Sequence, residues 1–435
     1  MENDETSYSY DSSSSQRIVI TGAGVVSPLG CGVNNVWQRL TAGESGIRTL
    51  PNTLTAGTGI SVGGLVPGID EDPLAGYDPE SFIAPKERKK MSRFIEFALL
   101  AAEEALAQAG WHPEDEAARE RTATIIASGV GGFGAIADAV RTTDGRGPRR
   151  LSPFTAPSFL ANMAAGHVSI KYGFTGPLGA PVTACAAGVQ AIGDAARLIR
   201  SGEADIAICG GTEAALDRVT LGCFAAARAL CTGYEEHPHL ASRPFDRDRN
   251  GFVMAEGAGL LVIESLAHAQ ARGATPLAEI IGYGTSADAY HLTAGPEDGS
   301  GAARAMRTAL RQACISADDV HHINAHATST QVGDHGELAA IRAVFGDNSQ
   351  VAISSTKSAT GHLLGAAGGV EAIFTLMALR QQLIPPTLNL HHPDDAAGNL
   401  DLVALTARPA ELTYAMSNGF GFGGVNASLL LRKWH

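Results

Sequence analysis

The sequence predicts an α/β protein made of two similar halves, and three observations lead to this prediction. Short runs of β-branched residues alternate with Ala-rich stretches along the chain, as strands alternate with helices in α/β proteins. The 435 residues are 45% hydrophobic, which suffices for two or three domains or for one large duplicated unit with a shared core. Charged residues make up only 18% while glycines number 51, so we expect extensive burial and many tight turns.

Each expected element follows from its local pattern, taken in chain order. Runs of β-branched residues predict strands at 18–21, 124–128, 182–184, 206–210, 259–264, 279–282, 322–324, 351–354 and 427–431. Ala-rich stretches, two of them closed by a glycine, predict helices at 93–108, 186–201, 302–314, 336–345 and 368–381. Another Ala-rich helix around 265–276 ends at Arg272-Gly273, and a new series of strands follows. We therefore expect an N-terminal half over 17–270 and a C-terminal half over 271–435.

Composition argues against several classes of protein. Residues 1–16 are acidic and Ser-rich and lack the cationic and apolar regions of a signal peptide, which predicts a disordered tail on a cytoplasmic protein. The net charge of −13 argues against a general affinity for nucleic acid or anionic membranes, and no apolar run reaches the ~18 residues of a membrane span. The six cysteines include no C-x-x-C pair, so neither a zinc site nor a disulfide framework is expected, and no cofactor is predicted.

Two glycine patterns in the sequence are compared with the pattern of a nucleotide-binding loop. Gly22-Ala-Gly24 follows the first expected strand, and residues 129–134 fit G-x-G-x-x-G after the second. A dinucleotide loop opens a helix and is followed, about 20 residues on, by an acidic residue at the end of the next strand. The first pattern instead runs into a turn at Ser27-Pro28, and the acidic residues after the second lie in or just past its helix. We interpret both patterns as tight strand-to-helix turns.

Cys185 stands between an expected strand and the helix at 186–201, which is a favourable position for a nucleophile. Unpaired N–H groups and the helix dipole stabilise a thiolate at a helix N-terminus. The neighbouring Ala184, Ala186 and Gly188 are small enough for a substrate to approach the sulfur. Most free cysteines are instead buried structural residues. We interpret four of the others in that way: Cys209, Cys223, Cys231 and Cys314.

A nucleophilic cysteine needs partners, and two of the 14 histidines stand out by context. His326 follows the expected strand 322–324, and His362 precedes a Gly/Ala-rich helix. Because ligands bind at strand ends in open α/β sheets, both rings are expected to meet Cys185 in one pocket. Lys357 lies in the same turn as His362 and is expected to pair with an acidic group, for which Glu371 is the candidate.

Seven motifs follow one another from Arg17 to about Lys433. They are V-I-T-G-A-G-V-V-S-P-L-G at 19–30, T-A-C-A-A-G at 183–188, G-G-T-E at 210–213, S-R-P-F-D at 242–246, N-A-H-A-T-S-T at 324–330, S-T-K-S-A-T-G-H at 355–362 and S-N-G-F-G-F-G-G-V-N at 417–426. In order and spacing they resemble the β-ketoacyl-[acyl-carrier-protein] synthases of the type II elongating class, within the thiolase-like superfamily. The resemblance covers nearly the whole chain and is therefore specific.

This resemblance implies an α/β thiolase-like fold of two pseudo-repeated halves stacked in five layers, α-β-α-β-α, and a dimer with its active sites near the interface. It implies that Cys185 accepts the acyl group, that His326 and His362 bind and polarise the malonyl unit, and that Lys357 orders the site through its acidic partner. Backbone N–H groups of Cys185 and Phe422 are implied as the oxyanion hole.

The resemblance also implies contacts with substrate and partner. The implied substrate contacts are Val130 as the limit on acyl length, Phe422 as a gate, and Phe224, Thr328, Thr330 and Phe420. An acidic acyl carrier protein, which brings the acyl and malonyl thioesters, is expected to dock on a basic segment, and nucleic acid is not expected there. The residues of this segment are Lys86, Arg88, Lys89 and Lys90.

The implied reaction is a decarboxylative Claisen condensation of an acyl-carrier thioester with malonyl-carrier protein, through an acyl group on Cys185. Its product is a 3-oxoacyl-carrier thioester two carbons longer. Departures from the commonest family pattern at Ala186-Ala187, Ala327 and Val425 leave polyene, polyketide or modified-lipid synthesis open beside fatty-acid elongation. A homodimer and a heterodimer with a related subunit are both open. The alternative function is that of a non-catalytic subunit that shapes chain length.

Overall fold

The computed structural model describes residues 17–435, so the expected disordered tail at 1–16 lies outside the described residues. The strands are β1 (Ile18–Ser27), β2 (Gly30–Cys31), β3 (Arg48–Thr49), β4 (Val62–Gly63), β5 (Thr122–Ala127), β6 (Leu178–Gly179), β7 (Ile206–Glu213), β8 (Gly257–Ser265), β9 (Ala278–Ala287), β10 (His322–Asn324), β11 (Ala352–Ser354), β12 (Leu383–Ile384), β13 (Asp401–Leu402), β14 (Arg408–Pro409), β15 (Tyr414–Gly421) and β16 (Val425–Lys433).

The helices alternate with the strands, as expected for an α/β protein. They are α1 (Val33–Thr41), α2 (Asn52–Thr55), α3 (Pro85–Arg88), α4 (Arg93–Ala109), α5 (Glu116–Glu120), α6 (Phe133–Arg146), α7 (Thr155–Phe159), α8 (Met163–Tyr172), α9 (Ala187–Arg200), α10 (Arg218–Ala226), α11 (Leu266–Ala271), α12 (Ser300–Ala313), α13 (Gln331–Phe345), α14 (Lys357–Thr360) and α15 (Ala367–Gln381). Among residues 17–435, no helix combines the length and the apolar composition needed to cross a membrane.

The long strands form one mixed sheet in the order β13-β11-β10-β15-β16-β9-β1-β8-β7-β5-β6. In the N-terminal part, β8 lies between β1 and β7 and is antiparallel to both, and β7, β5 and β6 are parallel. In the C-terminal part, β9, β16 and β15 repeat the antiparallel pattern, and β15, β10 and β11 repeat the parallel one. Strands β1 and β9 join the two parts through three antiparallel pairs, Ile18–Ile280 to Ile20–Ala278. The sheet is therefore an internal structural repeat.

Two central helices lie between the two parts of the sheet. Helix α9 packs on β5, β7 and β8 from one side and on β15 and β16 from the other, and α15 likewise contacts β7, β8, β15 and β16. Residues Ala367–Leu379 of α15 are all buried, as expected of a helix that is apolar all round. Helices α4 and α8 cover the outer face of the first part, and α12 with α13 covers the second. The five layers confirm the expected thiolase-like fold.

The repeat extends to the turns before the two central helices. Each turn begins with a non-glycine residue in the left-handed region, Ala184 before α9 and Leu364 before α15, both with φ of 49°. Each then makes one 3-10 turn, Ala184–Ala186 or Leu364–Ala366, and enters its helix. Cys185 and Gly365 therefore occupy equivalent places in the two halves.

Two local expectations are wrong. Residues 182–184 form no strand, because Val182 is exposed and Ala184 already begins the 3-10 turn. Gly22 and Gly24 lie inside β1 and not in a strand-to-helix turn. A Cβ on Gly22 would come within 2.1 Å of the carbonyl oxygen of Ala105 in α4, so these glycines let the helix lie directly on the strand. The pattern at 129–134 does connect a strand to a helix, since it runs from β5 into α6.

Candidate active site

Cys185 lies in the 3-10 turn immediately before α9. Strand β15 of the other half closes on this turn. A Cβ on Gly421 would lie 3.1 Å from the Cys185 backbone nitrogen, and one on Gly419 would lie 3.5 Å from its carbonyl oxygen. Glycines at these two positions therefore keep the space beside the nucleophile turn free of side chains.

Burial dominates the protonation of the Cys185 thiol. It raises the pKa of the thiol to about 12, while the nearby Lys357 ammonium acts in the opposite direction. The carboxylates of Glu213 and Glu371 raise the thiol pKa further. The expectation that the helix N-terminus holds a thiolate is therefore wrong for the resting site.

Two of the cysteines interpreted as buried structural residues are buried, namely Cys209 and Cys231. The other two, Cys223 and Cys314, are exposed, so that interpretation is wrong for them. Both lie near a helix C-terminus, where side chains reach solvent. Cys314 is therefore an exposed thiol with which the reactivity of Cys185 can be compared.

His326 and His362 come together from two separate loops. Their ring centroids are 5.4 Å apart, and both rings line the same cavity as Cys185. Burial, together with the Lys357 charge, lowers the pKa of each ring well below its usual range, so both imidazoles are neutral. Both nitrogens of His362 and the Nδ1 of His326 are buried without a hydrogen-bond partner among residues 17–435. A neutral imidazole carries one N–H donor and one proton acceptor, and both remain available here.

Lys357 and Glu371 form a completely buried ion pair, with Nζ 2.5 Å from Oε1. Glu371 projects from α15, one turn after the start of the helix. Burial raises the pKa of this carboxyl to about 7, and Lys357 opposes the rise. Breaking a buried pair by removing one partner leaves an uncompensated charge and costs ~3–5 kcal/mol. The pair therefore holds a fixed positive charge beside the two histidines.

Glu337 is a site residue that received no role from the sequence. It is buried on α13 and accepts hydrogen bonds from the backbone N–H of His326 (2.9 Å) and of Ala327 (2.6 Å). The Asn418 side chain donates a third bond to it, at 3.1 Å. The signal for this role is an acidic residue in the helix that follows a strand-end histidine. Glu337 fixes the backbone from which the His326 ring projects.

The cavity that holds these groups has a volume of about 590 Å³. The expected site residues on its lining are Cys185, Phe224, His326, Thr328, Thr330, His362, Phe420 and Phe422. Val130 lies outside this lining and packs, with Cys185 and Phe224, against the apolar cluster that contains Leu364 and Phe252. We call this cluster the acyl-side cluster. It supplies an apolar environment on one side of the nucleophile.

The cavity has a polar side as well as an apolar one. Thr328 and Thr330 share a hydrogen bond of 3.1 Å between their hydroxyls. Arg228 and Asn250, which the sequence did not single out, also line the wall. Arg228 is exposed and its backbone has φ of 54°. Arg228 therefore places a positive charge at the cavity wall.

Phe422 lies in the tight turn between β15 and β16 and is 38% exposed at the cavity. The turn is held from outside by the backbone bond from Gly423 to Leu292, of 2.8 Å. Within residues 17–435, neither the Cys185 nor the Phe422 N–H donates a hydrogen bond to another turn or loop carbonyl.

The expected docking residues differ in their exposure and in whether they form ion pairs. Lys86 and Lys89 are exposed on or beside the short helix α3. Lys90 instead binds Glu87 at 2.7 Å and lies over the Phe154 ring. Arg88 reaches the nearly buried Glu96 at 3.2 Å. The free positive charge of the segment is therefore concentrated at Lys86 and Lys89.

Comparison with known proteins agrees with this arrangement. A model of the β-ketoacyl synthase N-terminal domain matches residues 15–269, and a model of the C-terminal domain matches 277–391. A 3-oxoacyl-[acyl-carrier-protein] synthase 2 of Rhizobium meliloti is 49% identical over 96% of this chain and 99% of its own length. The mitochondrial 3-oxoacyl-[acyl-carrier-protein] synthase of Arabidopsis thaliana is 45% identical over 98% of this chain and 94% of its own.

Solved structures show the same architecture. The ishigamide ketosynthase/chain length factor matches with a TM-score of 0.88 at 34% identity, covering 97% of this chain and 100% of the matched one. A β-ketoacyl synthase from Burkholderia phymatum STM815 has the same TM-score, identity and coverage.

The fold and the relatives define an acyltransferase of the thiolase-like type, in which one cysteine and two histidines line the same cavity. Within that class, the chain belongs to the β-ketoacyl synthase family. Its relatives include many synthases that match over nearly the full length, so the alternative of a non-catalytic subunit is not favoured. The activity that the motifs implied, an elongating ketosynthase reaction, is confirmed at the level of the family.

Proposed function

We propose that Cys185, His326 and His362 carry out the decarboxylative condensation of an acyl-carrier thioester with malonyl-carrier protein. The observation that carries this assignment is the placement of all three side chains on one cavity. The sum of the two half-reactions balances without a redox cofactor. Acyl-carrier thioester and malonyl-carrier thioester, with one proton, give the 3-oxoacyl-carrier thioester, free carrier thiol and CO₂.

In the first half-reaction the Cys185 sulfur attacks the acyl carbonyl and the carrier thiol leaves. Because the thiol is protonated at rest, a neutral imidazole of the cavity accepts its proton and passes it to the departing carrier thiolate. The tetrahedral oxyanion is stabilised by the amide N–H groups of Cys185 and Phe422. The acyl chain extends into the acyl-side cluster.

In the second half-reaction the malonyl group loses CO₂ and becomes an enolate. N–H donors of His326 and His362 stabilise the oxygen on which negative charge develops. Burial, with the Lys357 charge as a second cause, lowers the pKa of both rings and keeps them neutral, so each ring has one N–H to donate and one nitrogen that can accept a proton. The enolate carbon attacks the thioester on Cys185 and releases the sulfur.

Intact-mass analysis tests this function directly. The full chain is incubated with acyl-carrier thioesters of increasing length, and the mass added to the protein is mapped to a residue by peptide sequencing. Loading at Cys185, followed by its loss when malonyl-carrier protein is added, is the expected result. A chain that is never acylated at Cys185 by any of the thioesters contradicts the proposal.

We also propose that the carrier protein docks beside α3. Lys86 and Lys89 are exposed there, and an acidic partner would be attracted to them although the chain as a whole carries a charge of −13. Arg228 at the cavity wall is placed to meet the phosphate of the carrier's prosthetic arm. A solved relative, the AntDE:AntF complex, has a ketosynthase bound to its acyl-carrier protein.

Charge reversal of Lys86 and Lys89 together should raise the apparent KM for carrier-bound substrates by roughly ten-fold and increase its salt dependence, because exposed charges act mainly on association. The apparent KM for a small acyl thioester without the carrier should stay unchanged. The matched control reverses two exposed arginines away from this segment, Arg311 and Arg380. Equal losses with carrier-bound and carrier-free substrates would refute docking at this surface.

A homodimer is the assembly we propose. Strand β6 forms one edge of the sheet, and several apolar side chains in β6 and in the segments around it are exposed. They are Val140, Leu151, Phe154, Leu160, Ile170, Leu178 and Val182. This surface leads directly into the Cys185 turn, so a second copy here would lie next to the active site. Sedimentation of the full chain alone distinguishes a homodimer from a protein that needs a related subunit.

Val130 is proposed to limit acyl length. Val130→Phe should shorten the longest acyl chain that loads Cys185, and Val130→Gly should lengthen it, since each methylene is worth ~1–3 kcal/mol of discrimination. The readout is the mass-spectrometric acyl-length profile. Val344→Phe is the matched control, because Val344 is also partly buried but packs on the core of the C-terminal half. An unchanged profile in a folded Val130→Phe variant would show that Val130 only packs the fold.

A further inference from the structure

Glu213 is a buried carboxylate to which the mechanism above gives no role. It ends strand β7 and its side chain is completely buried. The carboxylate accepts hydrogen bonds from the Ser128 hydroxyl (2.8 Å) and from the backbone N–H groups of Gly129 (2.7 Å) and Gly365 (2.9 Å). A longer bond comes from the N–H of Val130, at 3.3 Å. All four donors are neutral, so the carboxylate is held by hydrogen bonds and not by an ion pair.

The four donors belong to two separate segments that border the nucleophile. One is the loop that carries Val130, and the other is the turn that carries Leu364. Val130 and Leu364 both belong to the acyl-side cluster, and Leu364 also lines the cavity with Cys185. Leu364 has φ of 49°, a conformation that costs a non-glycine residue free energy and persists where neighbours hold it. The bond to the N–H of the next residue, Gly365, provides such a hold.

The internal repeat shows why a carboxylate is placed here. Strands β7 and β15 are both eight residues long and occupy equivalent positions in the sheet, so Glu213 corresponds to Gly421. In the same way, Gly365 corresponds to Cys185. Beside Cys185, the glycine leaves the space open. Beside Gly365, the Glu213 carboxylate fills it, because a Cβ on Gly365 would lie only 2.7 Å from its Oε2.

We propose that Glu213 is a positioning residue that sets the acyl-length selectivity of Cys185 by tying the Val130 loop to the Leu364 turn. This inference rests on the proposed function, since it concerns the acyl group loaded in the first half-reaction. The carboxylate acts as a shared acceptor for both walls of the acyl pocket. Its loss releases the two walls from each other while every group that reacts stays in place.

The test uses Glu213→Gln, which keeps the side-chain size but turns an NH₂ group toward N–H donors that need an acceptor. The ratio of Cys185 loading rates for acyl chains two carbons apart should fall by about ten-fold relative to the unmodified chain. Malonyl decarboxylation should change less than two-fold, because the hydrogen bonds of Glu213 within residues 17–435 go to Ser128, Gly129, Val130 and Gly365 and not to His326 or His362. Ser128→Ala removes one donor and keeps the carboxylate, so its profile should shift in the same direction by a smaller amount.

Glu264→Gln is the matched control. Glu264 is equally buried and accepts bonds from Thr21, His268 and Arg272, but it lies on β8 away from the cavity. This control should lower the melting temperature without altering the acyl-length profile. The same profile shift in Glu264→Gln as in Glu213→Gln would overturn the inference.

The remaining outcomes are also decisive. An unchanged profile in folded Glu213→Gln would overturn the inference, although loading of Cys185 in the unmodified chain would still support the proposed function. If Glu213→Gln does not fold, Ser128→Ala decides, and an unchanged profile in that variant counts against the inference. Absence of any loading at Cys185 in the unmodified chain contradicts the proposed function itself.

Discussion

Replacing Cys185 with serine is expected to lower the rate of condensation by roughly 10⁴-fold or more, the scale on which loss of a nucleophile acts. Malonyl decarboxylation should persist in this variant. The physical reason is that the enolate needs the N–H donors of His326 and His362, which line the cavity independently of the sulfur. The measurement compares CO₂ released from malonyl-carrier protein with 3-oxoacyl product formed by the same preparation.

The control for this variant is Cys314→Ser, which changes an exposed thiol at the end of α12. It should condense at the rate of the unmodified chain. Stable acylation of any cysteine other than Cys185 in the unmodified chain would contradict the assignment. A Cys185→Ser variant that loses decarboxylation and condensation in equal measure would also count against it, because the two activities would then share the thiol.

Replacing His326 or His362 with alanine should lower condensation by ~10²-fold or more, which is the usual effect of losing one donor to an oxyanion. Acyl transfer to Cys185 should stay measurable. Each ring is neutral and has a nitrogen without a partner among the described residues, so each has a donor to offer the enolate. Single-turnover measurement of acylation, and separately of decarboxylation, distinguishes the two half-reactions.

His321→Ala is the control for the histidine variants, since His321 is exposed and stacks on Tyr414 near the far end of β15. It should leave both half-reactions unchanged. If a folded His326→Ala variant lost acylation and decarboxylation equally, the division of labour between the sulfur and the rings would be wrong. Loss of acylation alone would assign His326 to proton transfer from the thiol.

Burial and, second to it, the charge of Lys357 explain why both histidines are neutral. Three buried carboxylates, those of Glu213, Glu337 and Glu371, also border the site. Glu213 and Glu337 receive backbone N–H groups, which satisfies them without a counter-charge. Lys357 is thus left with Glu371, and its positive charge favours the neutral form of both rings.

The sequence by itself was sufficient for features with a strong local signal. Helices α4, α9 and α15 are long and Ala-rich, and the strands β7 and β8 contain short apolar runs with Ile or Val, so local composition predicts them. Cys185, His326 and His362, which line one cavity, could be singled out because each stands at a junction between a strand or turn and a small-residue segment. The position of a chemically special residue at such a junction is a local property, and short motifs record it.

Local composition was insufficient where two distant segments determine a structure together. Residues 182–184 look like a strand but form an exposed segment and a turn, because no neighbouring strand pairs with them in the described chain. The glycines of β1 look like a turn but serve the contact with α4. A strand needs a partner that the local sequence cannot supply, and a glycine in a strand can serve packing against a helix that lies far along the chain.

The protonation and the hydrogen bonds of the site residues also depend on the tertiary structure. Desolvation in the folded chain raises the pKa of the Cys185 thiol, an effect that its position before a helix does not show in the sequence. Glu337 and Glu213 act through backbone N–H groups that become their neighbours only in the folded chain. The equivalence of Gly365 and Cys185 is likewise a property of the repeated architecture. Motifs identify the candidate reactive residues, whereas the protonation of those residues and their buried carboxylate neighbours follow from the packing of one half against the other.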